Sequence, residues 1–134
     1  MNFIQLNGVR FEYPNSDFKL SIDELAFPKA SQTAIIGPSG FGKTTLLNLI
    51  SGISIPEKGQ VDVNGTHINT LSDADRRTFR LMNIGFVFQD FKLLDYLTVV
   101  DNMLLPFRIN KALKLNEQSR EHAVKLSAML GIED

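Results

Sequence analysis

Residues 37–44 read Gly37-Pro38-Ser39-Gly40-Phe41-Gly42-Lys43-Thr44. This stretch fits the pattern G-x-x-x-x-G-K-S/T, in which closely spaced glycines let successive backbone N–H groups converge on one anion. Lys43 can reach the β- and γ-phosphates of a nucleotide, and the Thr44 hydroxyl can ligand a magnesium ion that bridges them. The apolar run 33–36 predicts a buried strand before the loop, and residues 43–51 have helical apolar spacing after it. The motif in this strand-loop-helix context predicts a nucleotide site.

The loop by itself does not choose between kinases, GTPases and transport ATPases, because all three use the same phosphate geometry. A glycine-rich turn that only connects a strand to a helix is the structural alternative, but it does not explain the adjacent Lys43 and Thr44. The flanking sequence has to decide the class of protein.

Composition excludes more functions than it suggests. The chain has 134 residues, a length that suits a single domain, and its formal net charge of -1 argues against nucleic acid as a partner. It has no cysteine, and His67 and His122 are predicted to be solvated side chains rather than metal ligands. No basic and apolar leader opens the chain and no run is long enough to cross a bilayer, so a membrane role is expected to come through a partner.

Alternating apolar residues predict a small antiparallel sheet in the first 70 residues. Residues 2–27 form two alternating runs separated by Pro14-Asn15-Ser16-Asp17, which indicates a strand pair. Asn64-Gly65 predicts a tight turn in a second hairpin over residues 60–69.

Helix signals follow in the second half of the chain. Ser72 with Asp75 resembles a capping box and opens a polar helix that ends near Asn83. Its basic residues Arg76, Arg77 and Arg80 are interpreted as a solvated face rather than a phosphate clamp. Residues 84–88 (Ile-Gly-Phe-Val-Phe) then predict a buried strand.

Two more helices are expected beyond that strand. Thr98 with Asp101 repeats the capping pattern, and Pro106 is expected to stop the helix that follows. Asn116 is a candidate cap for the last helix, and Gly131 suits the left-handed residue after its end.

Three spaced segments decide the class. They are Phe11-Glu12-Tyr13 before the loop, Ser51-Gly52-Ile53 through Pro56-Glu57-Lys58-Gly59 after its helix, and Ile84-Gly85-Phe86-Val87-Phe88-Gln89 later. With them the sequence resembles the ABC transporter ATPase family over essentially its whole length. Arg76-Arg77 with Arg80, and Leu93-Leu94 through Leu97-Thr98-Val99 to Leu105-Pro106, look most like its lipoprotein-releasing and macrolide-exporter branch.

The resemblance implies an α/β fold with three regions that form the N-terminal part of one ATPase domain. Residues 1–31 and 59–70 are expected to form an antiparallel β-subdomain, and residues 32–58 and 71–90 a P-loop NTPase core with an incomplete parallel sheet. Residues 91–134 are expected to begin a helical subdomain.

The resemblance also implies ATP and Mg2+ as cofactors and assigns the site residues. The nucleotide-binding set is Tyr13, Gly37, Pro38, Ser39, Gly40, Phe41, Gly42, Lys43, Thr44 and Thr45. Lys43 and Gln89 are the predicted catalytic residues, and Thr44 and Gln89 the predicted metal ligands. Tyr13 is expected to stack on adenine, with a strand-end aromatic as the alternative. For Gln89 the alternative is a polar residue at the end of a strand.

The implied partners are a membrane-spanning subunit and a second ATPase subunit. Residues 91–97, which carry the apolar side chains Phe91, Leu93, Leu94, Tyr96 and Leu97, are expected to dock the membrane subunit. Internal packing of this segment is the alternative. The resemblance implies a cytoplasmic chain, peripheral to the inner face of the plasma membrane.

The 134 residues contain no L-S-G-G-Q signature, and no acidic metal strand, catalytic glutamate or switch histidine of the family. Two hypotheses follow: a fragment of an ATP-binding subunit that hydrolyses ATP when complete, or a truncated nucleotide-binding module without turnover. In both, these residues alone are expected to bind nucleotide without sustained hydrolysis and to be marginally stable. No residue pattern names the transported substrate.

Overall fold

The computed structural model describes residues 2–88, 92–110 and 112–132. The chain divides into two compact units, Met1–Ile84 and Gly85–Asp134. The boundaries of the three regions expected from the sequence stay a prediction.

The first unit is built on a four-stranded antiparallel sheet. Strands β1 (Asn2–Glu12), β2 (Lys19–Pro28), β3 (Lys58–Val63) and β4 (Thr66–His67) lie in the order β2-β1-β3-β4. In the register of the two central pairs, Leu6 of β1 lies opposite Leu25 and Val61. Both predicted hairpins are confirmed, and Asn64 and Gly65 have the positive φ angles, 50° and 77°, that the tight turn requires.

One helix covers this sheet and joins its core. Helix α1 (Lys43–Ile50) begins directly after the glycine loop, as predicted. Its Leu46 and Leu49 are buried with Leu6, Val9 and other side chains of the sheet. Burial of this apolar face therefore fixes α1, and with it the loop at its N-terminal end, against the sheet.

Helix α2 (Asp73–Asn83) follows a 3₁₀ turn at Ile68–Thr70. The predicted cap is confirmed, since the Ser72 side chain accepts a hydrogen bond from the Asp75 backbone N–H. The interpretation of its arginines as a solvated face is wrong for two of them. Arg76 Nη1 donates to the Leu71 carbonyl at 2.7 Å, and Arg80 Nη1 donates to the Gly52 carbonyl at 2.9 Å.

Arg80 thereby binds the C-terminal end of α1. It also lies 3.5 Å from the Ser51 carbonyl, and burial lowers its pKa from the usual arginine value. The cation meets the negative end of the α1 dipole, where carbonyls lack helical partners. Arg77 fits the solvated description, because its side chain is 64% exposed and pairs with Asp73.

We expect Arg80→Ala to destabilise the first unit by about 1–3 kcal/mol, because the carbonyls of Ser51 and Gly52 at the end of α1 lose a charged donor. Arg77→Ala is the matched control: it removes the same charge from the same helix but breaks only an exposed pair, which costs about 0.5 kcal/mol or less. Urea unfolding of both variants measures the difference. Equal losses would contradict a special role for Arg80.

The described residues of the second unit form two helices. Helix α3 (Val99–Ile109) is capped by Thr98 and helix α4 (Glu117–Leu130) by Asn116, both as predicted. Leu104 of α3 and Ala123 of α4 are buried. Gly131 ends α4 in the left-handed conformation at φ 66°, which confirms its predicted role.

Pro106 does not stop α3, which continues to Ile109. A proline removes only one backbone donor, and the helical pattern resumes beyond it, with Asn110 N donating to the Pro106 carbonyl at 3.2 Å. The expectation that α3 ends at the proline is therefore wrong.

The prediction of two parallel strands is also wrong. Neither residues 33–36 nor residues 84–88 form a strand, and Ile36 and Val87 are 93% and 96% exposed. A strand needs a neighbour for its backbone hydrogen bonds, and parallel strands need both faces covered. Among the described residues of each unit no such parallel neighbour exists. Phe86 and Phe88 instead stack on each other with ring centroids 5.1 Å apart, so they are not the core strand residues expected.

Candidate phosphate-binding site

The glycine loop adopts the backbone geometry that its sequence predicts. Gly40 and Gly42 have φ angles of 84° and 85°, in the region that side chains with a Cβ rarely occupy. Gly42 is also the residue that precedes helix α1, and it carries no side chain that could cap the helix. The first turn of α1 contains no acidic residue. Its unsatisfied N–H groups and the positive end of its dipole are therefore open to an anion.

Lys43 places a cation at the same loop. Its Nζ donates to the Gly37 carbonyl at 2.7 Å and to the Pro38 carbonyl at 2.6 Å. The ammonium group thus lies over the start of the loop. It can donate to a phosphate oxygen in place of one of these carbonyls. Thr44 and Phe41 are exposed, Phe41 by 73% of its surface, whereas Thr45 is buried at 5%.

Tyr13, the predicted base-binding residue, lies beside the loop helix. Its hydroxyl is 3.2 Å from the Thr45 hydroxyl, and the residue is 36% exposed. The Phe11 ring packs perpendicular to it with a centroid distance of 4.7 Å. The structure therefore brings together the predicted base-binding and phosphate-binding residues of the first unit.

Phe18 is a neighbour of the site that the sequence did not single out. Its ring centroid is 5.8 Å from that of Tyr13, and its Cζ would lie 2.9 Å from a Cβ placed on Gly42. Glycine is therefore favoured at position 42 for its φ, and an added Cβ would also require the tip of the Phe18 ring to shift. The available signal was the alternation of apolar residues into β2, which put Phe18 on the same face as Leu20.

Gln89, predicted to be catalytic and a metal ligand, lies outside the described residues, as does Phe91 of the expected docking segment. The described part of that segment belongs to the second unit. Leu93 and Tyr96 are 68% and 78% exposed, whereas Leu94 and Leu97 are partly buried.

The Asn102 side chain fixes this segment to helix α3. Its Oδ1 accepts from Leu94 N at 2.9 Å, and its Nδ2 donates to the carbonyls of Leu94 at 3.0 Å and Leu97 at 3.2 Å. The side chain acts as a local substitute for a strand partner. The exposed side chains of Leu93 and Tyr96 are thus carried on an ordered turn.

Comparisons with known proteins agree with this geometry. The family model described as "ABC transporter" matches residues 20–134. The ATP-binding protein YxdL of Bacillus subtilis (strain 168) is 36% identical over 135 residues, which cover 99% of this chain and 52% of the relative. The chain belongs to the ABC transporter family.

Other members of the family include the branch suggested by the sequence. The lipoprotein-releasing system ATP-binding protein LolD of Nitrobacter hamburgensis is 34% identical over 134 residues, covering 98% of this chain and 57% of the relative. A dimeric ATP-binding cassette in a post-hydrolysis state, bound to ADP and Pi, superposes with a TM-score of 0.80 at 30% identity. That match covers 96% of this chain and 57% of the cassette.

This ABC transporter chain spans about half the length of several curated relatives that it matches, with 52% of YxdL and 57% of the N. hamburgensis LolD covered, and 38% of the B. subtilis protein YvcR. The α/β fold with an antiparallel sheet and helices is confirmed by the cassette structures. None of the helices in the described ranges is long and apolar enough to cross a membrane.

Proposed function

We propose that the chain binds Mg-ATP as the nucleotide-binding part of an ABC transporter, through the loop 37–45 and the N-terminal end of helix α1. The observation that carries this proposal is the open helix end itself. Two glycines with positive φ lead into α1, no side chain caps it, and Lys43 holds its ammonium group over the loop carbonyls. An anion with several oxygens suits these donors better than a single carboxylate does.

The metal ion fits the same arrangement. Among the described residues no group of three His, Cys, Asp or Glu side chains could hold a metal. Magnesium, however, is usually bound through one or two protein ligands together with substrate phosphates and waters. The exposed Thr44 hydroxyl at the first turn of α1 provides such a ligand, and Gln89 is proposed as a second. Magnesium supplies charge neutralisation at the phosphates when it is bound.

Tyr13 is proposed to hold the adenine base. The residue is about a third exposed beside the loop helix, while Phe11 supports its ring from within the sheet. An aromatic face of this kind stacks on a base without a need for hydrogen bonds. The alternative, a tyrosine that only covers the sheet, predicts no dependence of binding on the base.

Hydrolysis of ATP is proposed for the complete protein, with Lys43 and Gln89 as catalytic residues. The Lys43 ammonium group donates to the loop carbonyls, and this position supports a role in charge stabilisation at the phosphates, which is the main protein contribution to phosphoryl transfer. The printed residues contain no L-S-G-G-Q run to close over the γ-phosphate. We therefore propose that these 134 residues by themselves bind ATP without sustained turnover.

The partners are proposed from the same family relationship. The dimeric cassette supports a second ATPase subunit, and the macrolide export protein MacB of Rhodopirellula baltica, 34% identical over 132 residues, is an ATP-binding/permease protein. We propose that residues 91–97 dock a membrane-spanning subunit through Leu93 and Tyr96, on the turn fixed by Asn102. The chain would then lie at the cytoplasmic face of the plasma membrane.

Nucleotide binding and the role of the base can be tested together by calorimetry with Mg-ATP and with inorganic triphosphate. We expect wild-type chain to bind both, and Tyr13→Ala to lose about tenfold in ATP affinity while triphosphate affinity changes little, because stacking acts on the base alone. Tyr96→Ala, which removes the other tyrosine of the chain, is the matched control and should leave both affinities unchanged. Equal losses of affinity for ATP and triphosphate in Tyr13→Ala would contradict the stacking role. Absence of ATP binding by the wild-type chain would overturn the proposed function.

A further inference from the structure

A single hydrogen bond joins the proposed base-binding residue to the phosphate-loop helix. The Tyr13 and Thr45 hydroxyls lie 3.2 Å apart although 32 positions separate them in the sequence. Thr45 is on the first turn of helix α1, next to Thr44, and is only 5% exposed. Tyr13 follows strand β1 directly. This contact therefore links a strand of the sheet to the helix whose N-terminal end is open to an anion.

The contact is held on both sides. Phe11 packs its ring perpendicular to that of Tyr13, and Phe18 lies on the Tyr13 ring and against Gly42 of the loop. The perpendicular contact with Phe11 favours one plane for the Tyr13 ring, but it restricts the hydroxyl at the far end of the ring less. A hydrogen bond has a direction and a length, so the bond to Thr45 fixes the position of that hydroxyl.

We propose that Thr45 is a positioning residue for base recognition: its hydroxyl holds the hydroxyl end of the Tyr13 ring at a fixed distance from the phosphate loop. The inference rests on the proposed nucleotide binding and adds to it. A ligand that carries both an aromatic base and phosphates gains from a rigid spacing of the two sub-sites, since less side-chain freedom is lost on binding. A ligand without a base gains nothing from it. The Tyr13–Thr45 hydrogen bond thus acts as a tether between the two sub-sites, and this tether favours nucleotides over inorganic polyphosphates.

The chemistry of the threonine is compatible with this role and with phosphate contact at once. A hydroxyl offers one donor and two acceptor positions. The Thr45 oxygen can therefore accept a hydrogen bond from the Tyr13 hydroxyl while the Thr45 O–H group donates to a phosphate oxygen. Either hydroxyl can be the donor in the contact, but the tether functions in both directions.

A double-mutant cycle of Tyr13→Phe and Thr45→Val tests the tether in the full chain. Tyr13→Phe keeps the ring and removes only the hydroxyl, and Thr45→Val keeps the shape of the side chain. We expect Tyr13→Phe to lower Mg-ATP affinity about threefold to tenfold while triphosphate affinity stays within error, as for the loss of one neutral hydrogen bond. For ATP, adding Tyr13→Phe to Thr45→Val should cause little further loss, because the partner is already gone.

Thr45→Ser is the rescue variant, because it retains the hydroxyl and should keep the ATP-to-triphosphate affinity ratio near that of wild type. Urea unfolding of each variant separates positioning from stability. A merely structural hydrogen bond would lower stability and leave that ratio unchanged, which would overturn the proposal.

The outcomes also separate this inference from the function beneath it. If wild-type chain binds ATP in a Lys43-dependent manner but Tyr13→Phe binds ATP as wild type does, the tether is wrong and the nucleotide site stands. Additive losses for ATP in the cycle lead to the same conclusion. If the wild-type chain does not bind ATP at all, both the proposed nucleotide site and the tether are refuted.

Discussion

Lys43→Ala is expected to lower the affinity of the chain for Mg-ATP by one to two orders of magnitude. The Lys43 ammonium group lies on the loop, 2.6 Å from the Pro38 carbonyl oxygen and 2.7 Å from the Gly37 carbonyl oxygen. A hydrogen bond to a charged group contributes about 1.5–3 kcal/mol, which corresponds to roughly 10- to 150-fold in affinity. Inorganic triphosphate should lose affinity in parallel, since Lys43 acts on phosphates and not on the base.

Calorimetry with both ligands measures this effect, and Lys125→Ala is its control. Lys125 is exposed on helix α4, so its removal makes the same change in net charge at a residue outside the loop sequence. Circular dichroism and urea unfolding should show that Lys43→Ala remains folded, because its side chain contributes nothing to the apolar core. Equal ATP affinity of wild type and Lys43→Ala would refute the assignment of the phosphate loop.

Lys43→Ala and Tyr13→Ala together distinguish the phosphate-binding and base-binding parts of the proposed site. Lys43→Ala should weaken ATP and triphosphate alike, whereas Tyr13→Ala should weaken ATP alone. This difference follows from the structure, in which the lysine reaches the loop carbonyls and the tyrosine ring presents its exposed part beside the helix. A nonspecific loss of folding would instead reduce the affinity for both ligands in both variants.

The sequence predicted those features that depend on a few neighbouring residues. Ser72, Thr98 and Asn116 each accept a hydrogen bond from the N–H group three positions on, as the capping patterns indicated. The turn at Asn64-Gly65 and the left-handed Gly131 are equally local. In each case the side chain and the backbone that it fixes lie within four residues, so no knowledge of the tertiary fold was needed.

The errors concern features that depend on distant partners. Residues 33–36 and 84–88 have the composition of buried strands, but a strand forms only where a neighbour supplies its hydrogen bonds. Arg80 looked solvated because its acceptor, the Gly52 carbonyl, is 28 positions away. The contact between Tyr13 and Thr45 was invisible for the same reason. The motif predicts which residues belong to the proposed nucleotide site, whereas the hydrogen bonds between these residues could not be predicted from it.

Gly59→Ala is expected to destabilise the first unit more than any other variant proposed here. The pairing of β1 with β3 shifts register between Asn7 and Arg10, so that Gly8 and Val9 lie opposite Gly59 alone. A Cβ on Gly59 would lie 2.4 Å from both the C and O atoms of Gly8 and 2.5 Å from the N atom of Val9. These are backbone atoms of the central strand, and no change of side-chain rotamer can move them away.

The cost has two parts that a control can separate. Gly59 has a φ of 86°, so alanine is strained there by about 1 kcal/mol even in open space. Gly65 has a similar φ of 77°, but nothing lies within 4 Å of its Cβ position. Gly65→Ala therefore reports the conformational strain alone. The difference between the two variants is the cost of moving β1 away from β3.

We expect about 3 kcal/mol or more for Gly59→Ala and about 1 kcal/mol for Gly65→Ala, measured by urea unfolding of the full chain. The larger figure follows because β1 carries Leu6 and Val9, both fully buried, and a shift of the strand opens the core around them. At the usual urea dependence of unfolding it moves the midpoint by about 1 M or more, or leaves the unit unfolded. Equal losses in the two variants would show that the strands adjust freely, and that the bulge does not fix the register of the sheet on which the phosphate-loop helix rests.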